Sequence, residues 1–158
     1  MAHHAGGSKL KIALMYGLLI TVGIIAWVVI AHLLVPNPCS PIHVLGPIAF
    51  FNLVEITGIY LGIGARKGES AGQLQFKAGV KTGMGIAFVY GIGSCVFFLI
   101  FIAILGPQAM CVQSAVATPR FWQAAAFAFV GQFFGAVILG LFYSTIIAFV
   151  LATRRRVA

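Results

Sequence analysis

Only two acidic residues occur in the chain, and one of them, Glu55, stands inside the apolar run FFNLVEITGIYLG. A carboxyl in such a place could hydrogen-bond, carry a proton or hold a cation. Counted along its segment, it lies about 20 Å in at 1.5 Å per residue. Asn52, Glu55, Gly58 and Gly62 recur at helical spacing and share one face. Gly58 and Gly62 make that face small, which lets another helix approach closely. Glu55 is therefore expected to point into a helix bundle. No lysine or arginine falls at its depth. An unpaired buried carboxylate is costly, so a neutral acid is expected.

Depth along the other segments suggests partners. Thr21, Ser94 and Gln132 fall near the middle of their own apolar runs. Together with Asn52 and Glu55 they predict a polar layer across the bundle. The plainest role for that layer is interhelical hydrogen bonding, on the order of 1 kcal/mol per bond in a membrane. A proton or cation pathway is the alternative, although such pathways normally string several acids together. A site for a partner subunit or pigment is the third reading. Gly83, Gly91, Gly131 and Gly135, like Gly58 and Gly62, are expected to serve close packing.

Cysteines and histidines offer a second chemistry. Cys39 and Cys111 fall in the two connections that would share one side, and a disulfide between them is expected if that side is oxidising. Cys95, inside an apolar run, reads as a small packing residue. His32 and His43 bracket Cys39, but the spacing matches no zinc pattern. Interfacial histidines bonded to loop carbonyls are expected, with neither metal nor other cofactor.

The elements that must position these residues follow from composition. The 158 residues are 61% hydrophobic and 8% charged, against about 25% charged in a typical soluble domain. Four apolar runs approach or exceed the roughly 20 residues needed to cross a bilayer. They span about 12–35, 42–64, 82–105 and 121–152. The first is too long for a cleavable signal core and reads as a retained helix. Hydrocarbon satisfies no backbone amide, so each run should be a helix. The expected fold is all-α: an integral membrane, four-helix transmembrane bundle forming a single domain.

The net charge of +8 does not indicate nucleic acid, because the basic residues sit at the ends of apolar runs. Lys9, Lys11, Arg66, Lys67, Lys77, Lys81, Arg154, Arg155 and Arg156 would share one side, and only Arg120 the other. That bias places both termini in the cytoplasm. Arg66, Lys67, Lys77, Lys81, Arg154, Arg155 and Arg156 are expected at lipid headgroups. Tyr16 and Trp122 suit opposite interfacial belts. The Gln73–Lys81 stretch has the spacing of a short amphipathic helix lying along the membrane surface.

Two resemblances bear on function. IYLGIGARKG and GQLQFKAGVKTGM resemble a domain-of-unknown-function family of small four-helix bacterial inner-membrane proteins. Ile59 to Gly64, Arg66, Lys67, Phe76, Lys77, Gly79 and Gly83 occupy comparable places, whereas Gly64-Ala65 departs from the pattern. The resemblance implies a multi-pass protein of the bacterial cytoplasmic membrane and no activity. Separately, Ala49-x-x-Asn52-x-x-Glu55 resembles part of a helix signature in membrane-bound glutathione and eicosanoid enzymes. That signature opens on an arginine, where this chain has Leu45. An anionic tripeptide needs buried cationic donors, which are missing. The sequence thus predicts a small non-catalytic membrane protein, an accessory or structural subunit among other membrane subunits and lipids. A transporter or channel component using Glu55 is the alternative.

Overall fold

A computed structural model describes residues 4–35, 37, 40–70, 72–106 and 120–153. Helix α1 is His4–Leu34, α2 is Pro41–Glu69 and α3 is Phe76–Leu105. The fourth rod is composite: α4 (Phe121–Phe129), a π-helical turn (Val130–Phe134) and α5 (Gly135–Thr153). The described residues are all-helical, and four helices are long and apolar enough to span a membrane. Only 22–33% of each candidate span is buried within the bundle, so most apolar side chains face outward, as contact with lipid requires.

The helices overrun the expected bounds. Helices α1, α2 and α3 have 31, 29 and 30 residues, about 45 Å each against a hydrocarbon core of about 30 Å. Hydropathy marks where the apolar side chains begin. The backbone hydrogen bonds continue past that point. Helix α2 runs on through Arg66 and Lys67 to Glu69. Its end is closed by local bonds from Ser70, whose amide donates to the Lys67 carbonyl and whose hydroxyl donates to the Arg66 carbonyl.

The expected surface helix is corrected here. Residues 76–81 form the opening turns of α3 itself. Tertiary packing fixes them there: Leu74 is buried, and a methyl on Gly79 would sit 2.8 Å from the Ala148 Cβ. Tyr16 is partly buried and packs on the core beside Gly62. Trp122 is largely exposed.

Close approaches give the topology. Helices α1 and α2 meet at Ile20–Gly58, Tyr16–Gly62 and Val54–Gly23, so they run antiparallel. Helices α1 and α3 meet at Ala13–Gly85, Val89–Gly17 and Thr21–Gly93, so they run parallel. Helix α3 meets α5 at Gly79–Ala148, Gly83–Ser144, Ala87–Gly140 and Gly91–Ala136, an antiparallel seam stepping by four on both sides. Small residues at that spacing let two backbones approach closely. Helix α3 touches every other element, whereas α1 touches only α2 and α3 among the described elements. The cross-section is a rhombus with α2 and α3 on its short diagonal. Ile20, Ile24, Ile59, Ile63, Ile86 and Ile102 fill its centre.

Both ends of the described chain and the α2–α3 connection lie at one end of the bundle, called here the Lys67 end. The other two connections lie at the Pro41 end. At the Lys67 end, Arg66 pairs with Glu69 at 2.9 Å, and the Lys67 Nζ donates to the Leu151 carbonyl at 2.8 Å. That carbonyl lies in the last turn of α5, where the helix dipole favours a cation. Replacing Lys67 by methionine removes this tie and is expected to cost about 1 kcal/mol in a detergent unfolding titration.

Candidate functional site: a blind cleft ending at Glu55

The regular seam between α3 and α5 ends at Gly91–Ala136. Just beyond it lies the π turn, which fits one more residue into the turn and breaks the four-residue rhythm. Past this point the fourth rod no longer meets α2. Among the described elements, α4 and the π turn touch α3 but not α2, whereas α5 touches both. The fourth rod and α2 therefore diverge toward the Pro41 end. A cleft of about 310 Å³ occupies the gap.

Pro47, Asn52 and Glu55 line it from α2, Tyr90 from α3, and Gly131, Gln132 and Gly135 from the fourth rod. Pro47 sits inside α2, where it has no amide to give the His43 carbonyl. A methyl on Gly131 or Gly135 would meet nothing within 4 Å. Both were expected as packing residues, and this is a correction: their missing side chains shape the cleft wall. Packing does hold at Gly58, Gly62, Gly83 and Gly91, each of which faces a side chain of a neighbouring helix.

Toward the Lys67 end the cleft is closed. Gly140 lies against Ala87, Gly83 against Ser144, and Ile59, Ile63, Ile86 and Ser144 are fully buried. The Tyr143 hydroxyl donates to Asn52 Oδ1 and ties α2 to α5, while Asn52 Nδ2 donates to the Ile48 carbonyl. Replacing Tyr143 by phenylalanine is expected to cost about 0.5–1.5 kcal/mol of stability, read as a lower midpoint in denaturant.

Glu55 stands at this blind end with 1% of its surface exposed. Its Oε1 has no hydrogen-bond partner among the described residues, and lies 3.3 Å from where a Cβ on Gly140 would be. The expected interhelical bond is not made by this oxygen. Burying it unpaired costs stability, so packing elsewhere holds it in place.

Three of the five expected polar residues come together, and they form a column rather than a layer. Glu55 is level with Gly140, and Gln132 lies eight positions along the fourth rod, about 12 Å nearer the Pro41 end. Asn52, Glu55 and Gln132 share the cleft. Thr21 and Ser94 do not line it. The Thr21 hydroxyl donates to the Gly17 carbonyl of its own helix at 2.9 Å and faces Gly93. The Ser94 hydroxyl is buried without a partner among the described residues.

Other expectations resolve around this site. Cys39, Cys111, Arg154, Arg155 and Arg156 lie outside the described residues. Cys95 is buried, and its thiol is 3.8 Å from the Phe129 carbonyl beside the π turn. His43 Nε2 is 2.8 Å from the Val35 carbonyl, the loop bond expected of it. His32 packs edge-on against Phe101. Among the described residues, no group of three His, Cys, Asp or Glu could hold a metal. Lys77 and Lys81 are exposed, as headgroup contact requires.

Sequence reading missed Pro47, Tyr90, Gly140 and Tyr143. Signals were present: a proline six positions into α2, and two tyrosines in apolar helices, whose hydroxyls need partners. Extending the glycine spacing to alanine and serine would have drawn the whole α3–α5 seam. No protein-family model matches the chain, and no curated protein or solved structure matches it.

Proposed function

We propose that the protein is a small non-catalytic membrane subunit that works by holding an occupant in the Glu55 cleft. The observation that carries this reading is a buried carboxyl oxygen without a partner at the blind end of an open cleft. A cleft closed toward one end suits retention better than conduction. Its glycine walls leave space that the fold does not need. The exposed apolar sides of the four helices suit lipids and neighbouring membrane subunits. The side bias of the lysines and arginines supports cytoplasmic termini in a bacterial inner membrane, in keeping with the resemblance carried by IYLGIGARKG.

The test is purification in mild detergent from the membrane in which the chain is made, followed by identification of what leaves with it. A co-purifying molecule or subunit that is lost in Gly135→Leu supports the reading. Unchanged co-purification in that variant contradicts it.

Transport through Glu55 is the second reading, favoured by the buried acid itself. It requires a polar path to both ends. The fully buried isoleucines between Glu55 and the Lys67 end oppose that path. Proton or cation flux in liposomes that disappears in Glu55→Gln would establish this reading over the first.

A further inference from the structure

The chemistry of the cleft narrows its occupant. Among the described residues, no lysine, arginine or histidine lines it. An anionic headgroup would be buried without charge-assisted donors, which excludes phosphates and carboxylates. A cationic guest would need an ionised Glu55 and the desolvation of two charges, a penalty that their mutual attraction often fails to repay. An uncharged guest avoids both costs. The Glu55 carboxyl lines the cleft, and a neutral carboxyl both donates and accepts, so a guest hydroxyl, which does the same, suits it.

Shape narrows it further. The volume of about 310 Å³ is at the small end for ligand sites, enough for a ring with a few attached atoms. Phe51 and Tyr90 are its aromatic lining, and Gly131 and Gly135 leave gaps in the opposite wall. Ile48 and Leu139 line the rim and are themselves exposed. The mouth therefore opens sideways between α2 and the fourth rod, where the surface is apolar. An aliphatic tail could leave there into lipid.

We propose that the cleft binds an uncharged, lipid-soluble ring compound bearing a hydroxyl, of the alkylphenol or quinol class. It enters laterally through the half of the bilayer nearer the Pro41 end, and its hydroxyl hydrogen-bonds to the Glu55 carboxyl where that carboxyl lines the cleft. This assignment rests on the reading of the cleft as a binding site.

The test uses the full chain in nanodiscs and radiolabelled 4-octylphenol as the probe. Expected is saturable binding of one probe per chain, weakened at least tenfold in Glu55→Leu. Octylbenzene, which lacks the hydroxyl, should compete at least tenfold less well. Gly135→Leu fills the cleft and should abolish binding. Gly64→Leu, at another position where a side chain meets open space, should not. Should Glu55→Leu fail to fold, Glu55→Gln serves, with altered discrimination between phenol and octylbenzene as the readout.

Equal competition by octylbenzene, or undiminished binding in Glu55→Leu, overturns the proposal. Preferential binding of octylamine that Gly135→Leu abolishes overturns the ligand class and leaves the binding reading standing. Absence of saturable binding by phenol and amine alike, with co-purification unaffected by Gly135→Leu, overturns both.

Discussion

Valine in place of Gly140 destabilises the bundle by about 1–3 kcal/mol, the usual cost of overpacking a core. Its Cβ would overlap that of Ala87, with Glu55 Oε1 on the adjacent side. The Ala87 Cβ is fixed to the backbone and cannot swing aside, so the helices must part. Parting α3 from α5 at this step strains the whole seam, because Gly79–Ala148, Gly83–Ser144 and Gly91–Ala136 share the two backbones. Chemical unfolding in micelles measures the loss. Gly64→Ala is the control: its added methyl meets nothing within 4 Å, and replacing a helical glycine raises stability by up to about 1 kcal/mol. Equal destabilisation by the two substitutions would show that the seam does not hold the bundle.

Glu55→Leu reverses the usual expectation for a buried residue. The carboxyl oxygen Oε1 is fully enclosed and unpaired, a condition that costs about 1–3 kcal/mol. Leucine is close in volume and carries no polar atom. The variant is therefore expected to be as stable as the parent or more so, by up to about 2 kcal/mol, while losing the occupant of the cleft. Interhelical bonding by Glu55 predicts the opposite sign, a loss on the order of 1 kcal/mol. The two outcomes separate a binding group from a structural one in a single unfolding titration.

The four helices were legible because apolar length and the backbone's need for internal bonds leave little choice in hydrocarbon. The inward aim of Glu55 was legible from its face, shared with Gly58 and Gly62. Its neighbours were not. Depth counted from the start of each run assumes that the rods begin level and stay regular. The π turn at Val130–Phe134 and the displaced start of α4 break both assumptions. Gln132 consequently shares the cleft with Glu55 from a different depth. The roles of Gly131 and Gly135 were illegible for a related reason: a glycine spacing marks a face, and only the path of the opposing helix decides whether that face is filled. Asn52 was placed on the right face, but its partner Tyr143 comes from 91 positions away, and no local pattern encodes that pairing.

The central claim is that Glu55 is the binding group of a blind cleft. Its most direct test is the rise in unfolding free energy with added 4-octylphenol, measured side by side for the parent and Glu55→Leu. A ligand that binds only the folded state raises stability by about 2.7 kcal/mol at a hundredfold excess over its Kd. The parent should show that rise, growing with the logarithm of ligand concentration as one site requires, whereas the rise in Glu55→Leu should be smaller by about 1.3 kcal/mol or more. A flat line for the parent, or the same rise in both proteins, would contradict the claim.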